Sequence, residues 1–318
     1  MWYNIREDGD EMPIQYNKLF QILSEKGIAK TELQKQIGMS SSTMAKLSKN
    51  ENVSIKIIAD ICKILNCQPG DIMEMVNPVD NPLLQKLREE MQMKLKGGIY
   101  HQTQVKLSYN SNRIEGSKLS EDQTRYIYET NTIATENEET ASIDDIMETI
   151  NHFQCFDYML EVADQDLSEA IIKDFHRILK YNTSDSKKVW FMVGDYKSKP
   201  NMVGDKMTVA PSKVKGEMAK LLIDYNQISK VTFEDIIEFH YKFEAIHPFQ
   251  DGNGRVGRMI IFKECLKNNI EPFIIDEKHK QFYYRGLNNF LEERGYLIDT
   301  CYSAQDRYKE MIEYFMKE

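Results

Sequence analysis

The most informative stretch of this 318-residue chain is His247-Pro248-Phe249-Gln250-Asp251-Gly252-Asn253-Gly254-Arg255-Val256-Gly257-Arg258. Gly252, Asn253 and Gly254 can adopt positive φ, because two of them lack a Cβ and asparagine tolerates the left-handed region. Successive backbone N–H groups in such a turn converge into a concavity that binds anions. We call these three residues the glycine loop and predict that it holds an anion.

A helix is expected directly after the glycine loop, from Arg255 to Lys267. Apolar residues recur at helical spacing between Met259 and Leu266, and no proline interrupts them. A loop that enters a helix N-terminus presents unpaired N–H groups and the positive end of the helix dipole, which favour phosphate. Arg255 and Arg258 share one helix face, where their guanidinium groups can grip phosphate oxygens.

Two residues beside the loop add further chemistry. Asp251 offers a hard oxygen ligand, which suits Mg²⁺ held jointly with phosphates. The ordinary pKa of His247 lies near neutrality, so this side chain can act as a general base. Each feature alone is more often a turn or a solvated surface, but their occurrence together in one stretch favours a nucleotide-phosphate site.

The stretch resembles the active-site motif of the Fic (Fido) family, His-x-Phe-x-Asp/Glu-Gly-Asn-Gly-Arg-x-x-Arg, at every fixed position. The resemblance implies transfer of AMP from ATP, with Mg²⁺, to a hydroxyl group of a protein. It implies that His247 is the base, that Asp251 holds Mg²⁺ and that Phe249 anchors the loop. The implied phosphate ligands are Gly252, Asn253, Gly254, Arg255 and Arg258, with Arg258 on the γ-phosphate. A family branch that transfers phosphate has lysine at position 254, and this chain has glycine.

A second motif, Ser111-Asn112-Arg113-Ile114-Glu115-Gly116, lies far upstream. It resembles the inhibitory signature of the same family, Ser/Thr-x-x-x-Glu-Gly/Asn. A carboxylate on a helix can occupy Arg258 and remove the group that should orient the γ-phosphate. We therefore predict that Ser111, Glu115 and Gly116 form an internal off-switch. The alternative is an ordinary surface helix that ends at Gly116.

Residues 15–76 form short predicted helices and resemble a repressor-type (Cro/C1-like) helix-turn-helix DNA-binding domain. Segment 40–50 would be the recognition helix, and the implied DNA contacts are Ser40, Ser41, Ser42, Thr43, Lys46 and Lys49. Segment 15–76 has no arginine, eight lysines and six acidic residues, so its net charge is only +2. Because so few charges neutralise phosphates, a protein-contact or dimerisation module is the alternative.

Local signals predict helix boundaries within residues 15–76. Thr31 and Gln34 have the spacing of a capping box, Gly38 would end that helix, and Ser40 would cap the next one. The run Gln68-Pro69-Gly70 is expected to stop the last helix.

The remaining organisation is predicted from periodicity and composition. We expect an acidic segment at 1–14, the helix-turn-helix domain at 15–76, a linker helix at 77–98, and a Fic domain at 99–318 that includes inhibitory segment 111–116. Further helices are expected at 144–163, 168–179, 213–228, 232–245, 279–294 and 302–317, and a polar loop at 131–143. Short strands at 189–196 and 206–209 would form the β-hairpin flap that Fic proteins use to register a target backbone. The predicted fold class is all-α with one small hairpin.

One predicted helix near the end of the chain carries Tyr283, Tyr284 and Asn288. The family resemblance places this helix beside the adenine pocket, where an aromatic ring can stack and a polar group can contact the base. Core packing is the alternative for at least one tyrosine.

Composition predicts a cytoplasmic protein. The five cysteines lack metal-site spacing, there is no apolar run of 18 residues and no signal peptide, and the net charge of −9 argues against broad binding to polyanions. The predicted partners are a target protein, which can be the chain itself, and DNA through residues 15–76, with no membrane. A homo-oligomer would supply a second DNA half-site.

Three alternatives to a protein adenylyltransferase stay open from the sequence. The first is a DNA-binding regulator whose Fic domain senses nucleotide without catalysis. The second is an enzyme that removes AMP from a modified protein, because the same motif would serve both directions. The third is a transferase that uses another nucleotide donor.

Overall fold

The computed structural model describes residues 14–48, 51–75, 81–133 and 140–317. Segment 1–14, predicted to be acidic, lies outside the described residues apart from its last position. The chain divides into two units, and their described residues are 14–48, 51–75 and 164–166 in the first and 81–133, 140–163 and 167–317 in the second. Within the described ranges, no helix combines the length and the apolar character that crossing a membrane demands.

The first unit is a small helical domain with its own core. Its elements are β1 (Ile14–Gln15), α1 (Asn17–Glu25), α2 (Lys30–Ile37), α3 (Ser41–Ser48), α4 (Ile55–Leu65), α5 (Pro69–Ile72) and β2 (Glu74–Met75). β1 pairs antiparallel with β2. Each helix contributes a fully buried aliphatic side chain, in chain order Leu19, Leu33, Leu47, Ile61 and Ile72. Burial of these side chains from water is what holds the five helices together.

Two predicted helix boundaries of this unit agree with the structure. Gly38 ends α2 in the left-handed region, at φ 74°. Ser40 Oγ accepts a hydrogen bond from Thr43 N at 3.1 Å and so caps α3. Glycine and serine suit these positions because one lacks a Cβ and the other carries an oxygen within reach of the first turn.

One other prediction for this unit is wrong. The capping box expected at Thr31 is wrong because α2 begins at Lys30, after Ala29, which provides no side-chain cap. The helix before Gln68-Pro69-Gly70 stops as expected, since α4 ends at Leu65 with Asn66 in the left-handed region. The short helix α5 that begins at Pro69 was not predicted; the missing N–H of proline breaks no helical bond at this first position, and Asp71 Oδ2 accepts from Gln68 N at 2.8 Å. The pair β1–β2 was not predicted, since two-residue strands are too short to show alternation.

The second unit contains the longer helices. In chain order they are α6 (Pro82–Met93), α7 (Ile99–Ile114), α8 (Glu121–Thr130), α9 (Ile143–Glu161), α10 (Glu169–Leu179), α11 (Pro211–Asn226), α12 (Phe233–Ile246), α13 (Asn253–Lys267), α14 (Lys280–Asn289) and α15 (Gly295–Met316). A short hairpin, β3 (Met202–Val203) with β4 (Lys206–Met207), lies between α10 and α11 in sequence. The all-α fold class with a small hairpin is confirmed.

Helix α13 is the central helix of this unit. It packs against α7, α9, α10 and α12. Val256, Phe262 and Leu266 on this helix have no exposed surface. Two of the charges that this helix buries neutralise each other, because Lys263 Nζ lies 2.8 Å from Glu264 Oε1. Since α13 begins at the glycine loop, the core of the unit fixes that loop.

Helix α7 carries the predicted inhibitory segment at its C-terminal end. Its N-terminus is capped by a buried carboxylate on α6, because Glu90 Oε2 accepts from Tyr100 N at 2.9 Å. A Cβ on Gly98 would lie 2.2 Å from the same oxygen, so glycine is required there. These contacts fix the start of the helix that presents Glu115.

Two helices of the second unit differ from the sequence prediction. Helix α8 was not predicted, although Ser120 and Gln123 form a capping box at its start. Helix α15 was expected only from residue 302, but it begins at Gly295. The polar loop predicted at 131–143 lies partly outside the described residues, since positions 134–139 are not described, and α9 begins at its last position.

The hairpin also differs from its prediction. The strand expected at 189–196 is wrong, because this segment is a series of turns. Phe191 N donates to Lys188 O at 2.9 Å and Asp195 N to Met192 O at 3.2 Å, while Gly194, at φ 73°, donates its N–H to His176 Nδ1 at 2.9 Å. The second expected strand is shorter than predicted, because only Lys206–Met207 pairs.

Candidate active site

The glycine loop is closed by side-chain hydrogen bonds. Gly252 adopts φ 81° and turns the chain into α13. Asn253 is buried, and its Oδ1 accepts from Phe249 N at 2.8 Å while its Nδ2 donates to Phe249 O at 2.9 Å. The first N–H groups of α13 have no partner within the helix, an arrangement that suits an anion at this end of the loop.

Phe249 anchors this loop in the core. Its ring is fully buried and stacks on His176, with the ring centroids 4.0 Å apart and the planes 7° from parallel. Phe243 and Tyr196 also pack against it. The anchor holds the residues on both sides of it, His247 and Asp251, at fixed positions.

Arg258 is 4% exposed and bound by the inhibitory segment. Its Nε donates to Ser111 Oγ at 3.0 Å, and its Nη2 donates to Ser111 O at 2.9 Å and to Glu115 Oε1 at 2.7 Å. Burial by itself would lower the pKa of Arg258, but the charge and hydrogen bond of Glu115, together with Tyr283 and Glu244, outweigh burial and raise that pKa. The guanidinium group predicted to meet the γ-phosphate is therefore occupied by residues of α7 and its end.

Glu115 also fills the mouth of the glycine loop. A Cβ on Gly254 would lie 2.1 Å from Glu115 Oε1, so the carboxylate leaves no room for any side chain at position 254. The turn after Glu115 uses Gly116 at φ 104°, a conformation that disfavours other residues. The structure thus brings Ser111, Glu115 and Gly116 together with the glycine loop and Arg258.

An ion network surrounds Asp251. Asp251 Oδ2 accepts from Lys180 Nζ at 2.7 Å and from Arg255 Nη2 at 3.2 Å. Lys180 is 1% exposed and also binds Glu148 at 2.7 Å and Asp185 at 2.9 Å, while Arg255 lies 2.5 Å from Glu148. Partial burial would raise the pKa of Asp251, but the charges of Arg255 and Lys180 lower it to about 2.

Asp251 fits the chemistry of a Mg²⁺ ligand. Its side chain is 49% exposed, and its low pKa keeps it ionised at neutral pH. Mg²⁺ is commonly held by one or two carboxylates while phosphates and water complete the coordination, so one such oxygen donor suffices beside an anion site. Arg255 contacts Asp251 and Glu148, so in this structure it orients the Asp251 carboxylate.

His247 is held as a neutral imidazole. It follows α12 in the left-handed region, at φ 52°. Burial and the nearby charge of Lys197 lower the pKa of His247 to about 4. Glu244 Oε2 lies 4.0 Å from His247 Nδ1, and burial raises the pKa of Glu244 to about 8. At neutral pH the imidazole is therefore unprotonated, as a general base must be.

The three residues predicted for the adenine pocket have different environments on α14. Tyr283 is buried, and its OH lies 2.5 Å from His240 Nε2. Tyr284 is 40% exposed and donates its OH to Ile114 O at 3.1 Å. Asn288 is exposed, and its backbone carbonyl oxygen accepts from Lys206 Nζ at 3.1 Å. Tyr284 therefore has ring surface for a base, whereas Tyr283 belongs to the core.

The predicted DNA-contact residues share one surface of the first unit. Ser40, Ser41, Ser42 and Lys46 are exposed and Thr43 is half-buried, while Met44 and Leu47 of the same helix are buried. The buried side chains fix α3 to the domain core and leave the hydroxyl-rich face to solvent. Lys49 lies outside the described residues.

Four residues of the site were not found from the sequence. They are Glu148, Lys180, Lys197 and Glu244. Lys180 is 71 positions away from Asp251, and no spacing rule connects them. Glu244 lies three residues before His247 in α12, so its helical proximity was the one available signal.

The sequence matches two family profiles. Residues 18–78 match the Cro/C1-type HTH DNA-binding domain, and residues 166–264 match the Fic/DOC family. The second range includes the glycine loop, the Asp251 ion pairs with Lys180 and Arg255, and His247. Segment 111–116 lies outside it.

Similar sequences include the protein adenylyltransferase Fic of Nematostella vectensis and the protein adenylyltransferase fic-1 of Caenorhabditis elegans. The first is 27% identical over 189 residues, which are 57% of this chain and 42% of that protein. The second is 26% identical over 188 residues, which are 57% of this chain and 35% of that protein. The chain therefore spans less than half the length of these curated relatives.

Solved structures share the helical fold. A Fic domain containing signaling protein from Bacteroides thetaiotaomicron aligns with a TM-score of 0.54 over 73% of this chain and 90% of that chain, at 22% identity. Fic-1 from C. elegans aligns with a TM-score of 0.56 over 93% of this chain and 86% of that chain, at 18% identity. At these identities the likeness concerns the fold.

Removal of the Phe249 ring tests its role as an anchor. We expect Phe249→Ala to lower the free energy of unfolding of the second unit by about 3–5 kcal/mol, because a buried ring is lost and a cavity remains. The matched control is Phe282→Ala, which removes a ring that is 50% exposed and should cost about 1 kcal/mol or less. Urea unfolding followed by circular dichroism measures both. Equal costs for the two variants would contradict the anchor.

Proposed function

This protein joins a Cro/C1-type helix-turn-helix domain to a Fic domain, and from that premise we propose that it is a protein adenylyltransferase. The substrates are Mg·ATP and a Ser, Thr or Tyr hydroxyl group of a target protein, with the chain itself as one candidate target. The proposal is supported by the names of its relatives and by a site in which a neutral base, an ionised carboxylate and a glycine loop converge.

In the proposed reaction the target hydroxyl oxygen attacks the α-phosphorus of ATP, and the bond from that phosphorus to the bridging oxygen breaks. His247 accepts the hydroxyl proton, and pyrophosphate leaves. Asp251 would hold Mg²⁺, which would neutralise charge on the phosphates. The glycine loop and Arg258 position the phosphate chain, so the protein contributes positioning and charge neutralisation more than covalent chemistry.

The observation that carries the proposal is the contact between Glu115 and Arg258. A γ-phosphate can reach the guanidinium group only after the Glu115 carboxylate has left it. A hydrogen bond between charged groups contributes about 1.5–3 kcal/mol, which corresponds to roughly a tenfold to hundredfold effect on a competing ligand. We therefore propose that the wild-type chain is autoinhibited by Glu115.

The first test is transfer of α-³²P from Mg·ATP to protein. Wild type, Glu115→Gln, Glu115→Gly and the double variant Glu115→Gly with His247→Ala are compared. We expect ~10-fold or greater labelling of Glu115→Gly over wild type, because Arg258 becomes available. Glu115→Gln should be intermediate, since an amide oxygen can still accept from Arg258 but carries no charge. The double variant should show no label.

The same experiment separates the alternatives. Equal label in wild type and Glu115→Gly would keep the transferase and reject the switch. Label that persists without His247 would reject the assigned base. If no variant is labelled, AMP-modified chain prepared chemically is offered next, and release of AMP from it would establish the reverse reaction.

We also propose that the first unit binds DNA through α3. The family profile and the exposed hydroxyl-rich face of Ser40–Ser42 support this role. The low positive charge of segment 15–76 favours binding by two copies at two half-sites, because one module neutralises few phosphates. Under this proposal the chain is both a regulator and an enzyme.

A charge removed from α3 tests the DNA interface. A duplex is first selected from a random pool, and its affinity is then measured by fluorescence anisotropy across a range of salt concentrations. Lys46→Ala should weaken binding and reduce the salt slope by about 1 per copy, because one phosphate contact is lost. Lys63→Ala removes an exposed lysine of α4 and should leave both unchanged. An identical effect of the two substitutions would contradict an interface on α3.

A further inference from the structure

Lys197 is a buried lysine, 3% exposed, that has only neutral partners. Its Nζ donates to Asn201 Oδ1 at 2.7 Å, to Thr208 Oγ1 at 2.6 Å and to Ile246 O at 3.4 Å. Among the residues that the structure describes, no carboxylate forms an ion pair with it. Burial lowers the pKa of Lys197 to about 8, so the side chain is largely charged at neutral pH. A buried charge without a counter-charge is costly and requires a reason.

Lys197 forms hydrogen bonds to the backbone on both sides of His247. Its Nζ reaches the carbonyl of Ile246, and its own N–H donates to Pro248 O at 2.9 Å. These two peptide groups flank His247, which holds a left-handed conformation that non-glycine residues adopt rarely. Such a conformation persists when the surrounding structure fixes it. Lys197 thus supplies hydrogen bonds on both sides of the strained position.

The Lys197 ammonium group also binds two residues at the base of the hairpin, Asn201 and Thr208. Asn201 and Thr208 lie just before β3 and just after β4, and Thr208 Oγ1 donates to Asn201 Oδ1 at 2.5 Å. Asn201 Nδ2 in turn donates to Phe249 O at 3.2 Å. One ammonium group therefore connects both ends of the hairpin to the loop that carries the base.

We propose that Lys197 is a positioning residue that fixes the backbone on both sides of His247 to the base of the hairpin and brings a buried positive charge to this position. The part of this inference that concerns catalysis rests on the proposed function, since His247 is the base of that reaction. The contacts of Lys197 and the effect of its charge on His247 do not depend on the proposed function.

The charged groups around His247 give the sign of the effect. Burial and the charge of Lys197 lower the pKa of His247, while Glu115 at the end of α7 and Asp251 before α13 raise it. Glu244 on α12 also faces His247 Nδ1, and its raised pKa leaves it mainly neutral at pH 7. Among these charges, that of Lys197 has the largest effect on the pKa of His247. Removal of its charge should therefore raise the pKa of His247.

The test measures the titration of His247 directly in the full chain. The chain has six histidines, so ¹³Cε1-histidine labelling gives a small set of signals, and His247→Gln assigns the one that disappears. In wild type we expect His247 to titrate at about pH 4. In Lys197→Met its pKa should rise by about one unit, the size expected when a nearby charge is removed. Lys197→Arg should restore the wild-type titration, because it keeps the charge.

A matched control and a second variant keep the test decisive. Lys199→Met makes the same substitution at an exposed position two residues along the chain and should leave the titration unchanged. If Lys197→Met does not fold, Lys197→Gln removes the charge while its amide can still donate to Asn201 and Thr208. Unchanged titration of His247 in either neutral variant that folds would overturn the inference.

A kinetic measurement distinguishes failure of this inference from failure of the proposed function. In the Glu115→Gly background, Lys197→Met should lower kcat for label transfer about tenfold or more with little change in KM for ATP, because the base is misplaced while the phosphate site is intact. Lys197→Arg should recover most of the rate. A shifted titration in a chain that transfers no label would support Lys197 as the positioning residue and reject the reaction alone.

Discussion

The contact of Arg258 with Ser111 and Glu115 is the interaction on which the rest of the site depends. Arg258 lies in a central helix that is buried on nearly every side, so its charge must be neutralised within the protein. Glu115 provides that neutralisation from the end of α7, and a triphosphate would provide the same charge from solution. The proposed autoinhibition treats these two anions as alternatives for one buried cation. Under that proposal, regulation is a direct consequence of burying an arginine.

A second constraint concerns the protonation states of Asp251 and His247, the two side chains just before α13. Nearby positive charges keep one of them ionised and the other neutral. The Asp251 carboxylate is kept ionised by Lys180 and Arg255, whereas the His247 imidazole is kept neutral by burial and Lys197. A carboxylate ligates Mg²⁺ in its ionised form, and a general base must be unprotonated, so each group is in the state that its proposed role needs. Lys180 and Lys197, which both follow α10 in sequence, contribute to these two protonation states. Part of the proposed chemistry therefore comes from residues outside stretch 247–258.

The sequence predicted local features well and distant partners poorly. The glycine loop, the helix after it and the ends of α2 and α3 follow from glycine, serine and apolar spacing within a few residues. Lys180, Glu148 and Lys197 were missed because tertiary packing, which no spacing rule records, brings them to Asp251 and His247. The strand expected at 189–196 failed for a related reason. Its residues have strand propensity, but Gly194 donates its N–H to His176, which is distant in sequence, and Phe191 and Asp195 donate theirs to the carbonyls of Lys188 and Met192 in local turns.

The most direct measurement of the central claim compares ADP and ATP binding by calorimetry with Mg²⁺, in His247→Ala and in Glu115→Gly with His247→Ala, where turnover is absent. If Glu115 and the γ-phosphate compete for Arg258, the γ-phosphate should add nothing to affinity in the first variant. It should strengthen binding by about tenfold or more in the second. The same ratio of ADP to ATP affinity in both variants would contradict competition at Arg258 and with it the proposed autoinhibition.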